Sequence, residues 1–221
     1  MTDAGLTHLY FLLDRSGSMQ SIRTDTTGGF DAFIEEQRAH STTGAGRCRV
    51  TLAQFDDRYE EVYADRDLAD VPPLELQPRG STALLDALGR LVVDAGERLA
   101  ALPEDQRPGS VIVGVMTDGY ENASREWDHP RIKALIEQQT RDYGWQFLYL
   151  GADQDAIEEG LKMGFAAGKS MTYSRGRAKE SIAAMSGNIG KYRHAVATGA
   201  APAAARHLTD FSEEQRRDAG A

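Results

Sequence analysis

The apolar positions of this chain fall into continuous runs and helically spaced sets. Leu9-Tyr10-Phe11-Leu12-Leu13 and Val111-Ile112-Val113-Gly114-Val115-Met116 show no polar alternation. Such runs suit parallel strands covered on both faces. Trp145 to Leu150 reads as another strand, and Ser170 to Tyr173 as a short edge strand. Arg49 to Phe55 alternates polar and apolar residues, as a half-buried strand does. Asp56-Asp57-Arg58 then turns the chain into Tyr59 to Tyr63, which predicts a hairpin and an antiparallel edge.

Between the strands the apolar period changes. Phe30, Phe33 and Ile34, with Gln37, mark a helix entered through Gly28-Gly29. Leu84, Leu88, Leu91, Val92, Ala95 and Leu99 share one helical face. Ile132, Leu135 and Ile136 mark a third helix, Ile157, Leu161 and Met163 a short fourth. Ile182, Met185, Ile189, Tyr192 and Val196 mark the last. Ser41 to Gly46 and Val71 to Gly80 read as loops. The alternation predicts an α/β fold: a doubly wound, mostly parallel sheet of about six strands, with one antiparallel edge strand and helices on both faces. The strand Leu9 to Leu13 is expected at its centre. Residues 1–198 are expected to form this domain, and residues 199–221, Ala-rich and then charged, a mobile tail.

Composition narrows the function classes. The 221 residues suffice for one sizeable domain. A net charge of −9 argues against nucleic acid as a partner. Cys48 is the one cysteine, so no internal disulfide forms, and no Cys/His cluster has zinc spacing. The first residues carry no basic region, and the run Leu9 to Leu13 is too short for a signal core or a membrane span. The expectation is a soluble, cytoplasmic protein without a membrane partner.

The chemistry gathers where the apolar runs end. The first ends in Asp14-Arg15-Ser16-Gly17-Ser18, the second in Thr117-Asp118-Gly119. Between them Pro78-Arg79-Gly80-Ser81-Thr82 feeds a helix. In a doubly wound sheet these segments meet at the carboxyl edge, where ligands bind. The inventory is two carboxylates and three hydroxyls, all hard oxygen donors suited to Mg²⁺, Mn²⁺ or Ca²⁺. Each piece alone has a simpler reading. Asp-x-Ser-x-Ser serves in turns and helix caps, and Thr82 alone reads as a cap. Asp153 and Asp155 follow a strand end and read first as residues of a capped helix. Glu121 and Asn122 stand equally as rim residues or as a solvated loop, and Asp56 and Asp57 read as hairpin-turn residues. The five histidines show no ligand spacing.

Together, Asp14-x-Ser16-x-Ser18, Gly80-Ser81-Thr82 and Thr117-Asp118-Gly119 resemble the metal-ion-dependent adhesion site of von Willebrand factor A domains. The resemblance covers roughly residues 7 to 198 and extends to a bacterial and phage subfamily of single-domain proteins. It implies a metal site made by Asp14, Ser16, Ser18, Thr82 and Asp118, holding Mg²⁺ or Mn²⁺, with Ca²⁺ allowed. It also implies a protein-interaction module without catalysis, whose protein partner lends an acidic side chain to the ion. Bacterial assembly, stress-response or phage-related systems are the implied setting. The alternative is a Mg²⁺-dependent phosphotransferase or phosphohydrolase using Asp14 as nucleophile. Such enzymes commonly place a second Asp two residues on, where this chain has Ser16, and a later lysine, for which Lys133 is the next candidate.

Overall fold

Strand β1 (Asp3–Asp14) is buried from Leu6 to Asp14 because helices cover both of its faces. Its side chains feed two separate cores. Leu9, Phe11 and Leu13 join the core under α1 (Arg23–Thr42) and α5 (Ala178–Ala197). Tyr10 and Leu12 join the core under α2 (Leu84–Ala101) and α3 (His129–Tyr143). The coordinates are a computed structural model that describes residues 2–153 and 155–220.

Among those residues the sheet has six strands in the order β3-β2-β1-β4-β5-β6. Strands β2 (Arg47–Phe55), β4 (Pro108–Thr117), β5 (Gln146–Ala152) and β6 (Ser170–Tyr173) run parallel to β1. Strand β3 (Tyr59–Asp67) is the antiparallel edge. The chain leaves β1 toward β2 on one side and reaches β4 on the other, so the strand order reverses beside β1. The carboxyl ends of β1, β2 and β4 therefore open on one crevice.

Three local readings change. Helix α1 starts at Arg23, not at Gly28-Gly29. Gly29 lies inside it, where a Cβ would stand 2.9 Å from Ile182 Cδ1, so its bare backbone lets α5 approach. Strand β2 is not half-buried: Thr51 and Gln54 are buried too. Their polarity is satisfied by His8 Nε2, 2.9 Å from Thr51 Oγ1, and by the Glu75 carbonyl, which accepts from Gln54 Nε2 at 2.7 Å. The short helix α4 (Ala156–Lys162) buries Ala156 and Gly160, while Leu161 is exposed. Strand β6 sets that choice, because a Cβ on Gly160 would lie 2.3 Å from Ser170 Oγ.

The segment after Gly199 is packed, against the expectation of a mobile tail. Helices α6 (Pro202–Ala205) and α7 (Glu213–Asp218) lie against α5. Ala205, Phe211 and Ala219 belong to the core on that face. Ser212 and Gln215 form a reciprocal capping box on α7, and Asn188 Nδ2 donates to Gln215 Oε1 at 3.1 Å. Arg216 donates to the carbonyls of Ser170, at 2.5 Å, and of Ala167, at 3.0 Å. Among the described residues no helix is long and apolar enough to cross a membrane.

Candidate metal centre

Asp14 ends β1 with its side chain fully buried. One carboxylate oxygen accepts the Ser16 N–H at 2.6 Å, and the other accepts from Thr117 Oγ1 at 2.5 Å. The strand end of β4 thus orients the strand end of β1. Burial pushes the Asp14 carboxyl up to about 6. The hydrogen bonds from Thr117 and Ser16 oppose that rise, and the nearby Asp118 charge adds to it.

The other four residues expected to bind metal lie beside it. Ser16 Oγ and Ser18 Oγ are 3.0 Å apart, and Ser18 Oγ donates to Asp118 Oδ1 at 2.5 Å. Thr82 faces the same point from the third loop. A Cβ on Gly119 would stand 3.1 Å from Thr82 Oγ1 and 3.6 Å from Ser18 Oγ. Asp14, Ser16, Ser18, Thr82 and Asp118 therefore converge although they come from three separate loops. The second oxygen of Asp118, Oδ2, is buried and accepts no hydrogen bond. Arg175 Nε lies 3.5 Å from it, so its charge is compensated while its lone pairs stay free of hydrogen bonds. This donor set of two carboxylates and three hydroxyls fits a hard divalent cation. Among the described residues no group of three or more His, Cys, Asp or Glu side chains could hold an ion. Any cation here must therefore use hydroxyls as well as carboxylates.

Asp56 was read as a turn residue and does more. It follows β2 at the same edge and is fully buried. Its Oδ2 accepts from Arg15 Nε at 3.0 Å and from Arg79 Nε at 2.8 Å, and its Oδ1 accepts the Arg58 N–H at 2.7 Å. Burial pushes the Asp56 carboxyl up, but these hydrogen bonds and the Arg15 charge outweigh it and hold the group below the usual carboxylate range. Backbone bonds complete the splice between loops: Arg79 N donates to Arg15 O at 2.7 Å, Gly17 N to Gly80 O at 3.2 Å, and Ala83 N to Asp56 O at 2.9 Å. Asp56 follows a strand end as Asp14 and Asp118 do, but its role depends on Arg15 and Arg79, which reach it from distant positions in the chain.

Glu121 and Asn122 are supports. Glu121 accepts from the N–H groups of Leu85, Ala123 and Ser124 and from Ser124 Oγ, so it caps the first turn of α2 from another loop. Asn122 Oδ1 accepts the Thr82 N–H at 3.0 Å, and Asn122 N donates to Thr82 O at 3.0 Å. Asp155 caps α4 by accepting the Glu158 N–H at 2.9 Å, as the capped-helix reading has it. Asp153 is different. It adopts a left-handed φ of 49°, and its carboxylate lies 3.5 Å from Arg175 Nη1.

No protein-family model matches the chain, and neither does any curated protein. Solved structures do. Proximal thread matrix protein 1 from the mussel byssus matches with a TM-score of 0.54 at 16% identity, over 83% of this chain and 46% of that one. This chain thus spans about half the length of the mussel protein, which has also been solved with a zinc-occupied MIDAS motif. The vWF domain of the type V pili tip protein Mfa5 from Porphyromonas gingivalis matches with a TM-score of 0.54 at 12% identity, over 83% of this chain and 95% of that one. A von Willebrand factor type A protein from Catenulispora acidiphila matches with a TM-score of 0.50 at 14% identity, over 84% of this chain and 43% of that one. At such identities the likeness establishes the fold alone.

Proposed function

We propose that this chain, which has the von Willebrand factor A fold, is a divalent-metal-dependent protein-interaction module. Asp14, Ser16, Ser18, Thr82 and Asp118 would hold Mg²⁺ or Mn²⁺, with Ca²⁺ also admitted by the oxygen donors. The observation that carries the reading is the Asp118 carboxylate, whose Oδ1 accepts from Ser18 Oγ at 2.5 Å while its buried Oδ2 accepts no hydrogen bond, with the Thr82 hydroxyl close by. Two carboxylates and three hydroxyls leave one position of an octahedral shell open, which one carboxylate of a partner protein would fill. The bound ion would supply local attraction for an Asp or Glu of the partner, against the net charge of −9 on this chain.

The geometry disfavours the phosphotransferase alternative. Asp14 is fully buried, and both of its oxygens accept hydrogen bonds from the protein. Neither oxygen is exposed for attack on a substrate, whereas one accepted hydrogen bond leaves lone pairs for a small ion held inside the site. Lys133 lies on α3, half-exposed and facing Glu137 at 3.9 Å. Among the described residues, the charged side chain that reaches the donors from outside the set is Arg175, which serves as neither general base nor general acid. We propose a non-catalytic, cytoplasmic module in bacterial assembly, stress-response or phage-related systems, the setting that the sequence resemblance implies.

The test is affinity capture from a cell extract. The immobilised protein should retain partner proteins in Mg²⁺, lose them in EDTA, and retain none of them as the Asp14→Ala variant. The same proteins captured in EDTA or by the variant would remove metal from the account. Metal-dependent turnover of a phosphoester, abolished in Asp14→Asn, would restore the enzyme reading.

A further inference from the structure

Arg175 sits in a 3₁₀ turn, Arg175–Arg177, that links β6 to α5. From there it reaches the carboxyl end of β4. Its Nε lies 3.5 Å from Asp118 Oδ2, and its Nη2 donates to the Asp118 carbonyl at 3.3 Å. Its Nη1 lies 3.5 Å from Asp153 Oδ2. The guanidinium is thus shared between an inner carboxylate with no exposed side-chain surface and an outer one that is 45% exposed.

We propose that Arg175 is a built-in counter-cation of the metal centre, which competes with the divalent ion for the Asp118 carboxylate. This rests on the metal-site reading above. Asp118 Oδ2 receives charge from Arg175 without a hydrogen bond. Its lone pairs therefore stay available to an ion, while its charge is compensated. A guanidinium and a divalent ion repel when they share one buried carboxylate. Asp153 gives Arg175 a second anionic partner on the solvent side, so the side chain can yield Asp118 and keep a pairing. Arg175 would then stabilise the fold without metal and lower the affinity for metal. An ordinary structural ion pair would do the first and not the second.

The experiment is calorimetric titration of Mn²⁺ into wild type, Arg175→Gln and Arg177→Gln, with melting temperatures recorded in EDTA and in saturating Mn²⁺. Arg177 is the control for bulk charge, because it pairs with Glu180 at 3.3 Å. Arg175→Gln should bind Mn²⁺ about tenfold more tightly, the scale of one unit charge at short range in a partly screened site. It should melt below wild type in EDTA, with the gap closing in Mn²⁺. Arg177→Gln should bind as wild type does. Wild-type binding with an unchanged or weaker Arg175→Gln would overturn the proposal and leave the metal site standing. An equal gain in Arg177→Gln would overturn it in favour of bulk charge. No binding by wild type would overturn both readings.

Discussion

Asp56 and Arg15 form a buried ion pair, with Arg15 Nε donating to Asp56 Oδ2 at 3.0 Å and both residues under a tenth exposed. Arg15 lies between Asp14 and Ser16, and the same Asp56 oxygen holds Arg79 of the loop that leads to Thr82. One carboxylate outside the donor set therefore sets the spacing of two of the three loops that form it.

Asp56→Asn should accordingly destabilise the protein by about 3 kcal/mol, the scale for breaking a buried pair and leaving its partner charge uncompensated. Urea unfolding monitored by tryptophan fluorescence measures this. Divalent-ion affinity should fall in the same variant. A stability within about 0.5 kcal/mol of wild type would mean that Glu60, 2.5 Å from Arg15 Nη1, suffices as the partner.

Asp14 predicts the opposite sign. With its carboxyl raised to about 6, the folded protein holds that proton more tightly than the unfolded chain does, whose value is near 4. Stability in EDTA should fall as pH rises through that window, and ionised Asp14 should cost up to about 3 kcal/mol above it. Asp14→Asn removes the cost. Its urea midpoint in EDTA should exceed that of wild type at neutral pH, with the difference vanishing toward pH 4. A wild-type midpoint equal to or above that of the variant at neutral pH would contradict the raised value.

Gly119 separates affinity from stability. An alanine Cβ there would press on Thr82 Oγ1, at 3.1 Å, and stand within 3.6 Å of Ser18 Oγ. Gly119→Ala should weaken Mn²⁺ binding about tenfold while changing unfolding free energy by less than about 1 kcal/mol, since a single hydroxyl has to shift. Unchanged affinity would place Thr82 outside the ligand set.

The mostly parallel sheet with β1 at its centre was legible because buried parallel strands carry unbroken apolar runs, and the candidate site because Asp14 and Asp118 end two of those runs while Thr82 stands in a loop that feeds a helix. Asp14, Ser16, Ser18, Thr82 and Asp118 come together as the doubly wound pattern implies. What escaped depends on distant partners. The roles of Asp56 and Arg175 appear only when Arg15, Arg79, Asp118 and Asp153 are in place, and each has an ordinary local reading as a turn or surface residue. The start of α1 is misplaced by the sequence reading because Gly29 serves an interhelical contact, not a helix boundary. The apolar content after Gly199 is mostly alanine, with Leu208 and Phe211 its two large apolar residues, so packing through Phe211 and the Asn188–Gln215 pair left no periodic trace.

That packing is itself testable. Phe211→Ala should cost about 3 kcal/mol, as truncation of a buried aromatic does. The urea midpoint measures it. A change below about 0.5 kcal/mol would return residues 199–221 to the status of a mobile tail.

The decisive measurement is the count of bound Mn²⁺ by electron paramagnetic resonance, where free ion is read directly. Wild type should bind one Mn²⁺ per chain, displaced by excess Mg²⁺. Asp118→Ala and Thr82→Ala, shown folded by near-ultraviolet circular dichroism, should lose that binding. Equal Mn²⁺ uptake by wild type and both variants, or none by wild type, would contradict a metal centre built from these residues.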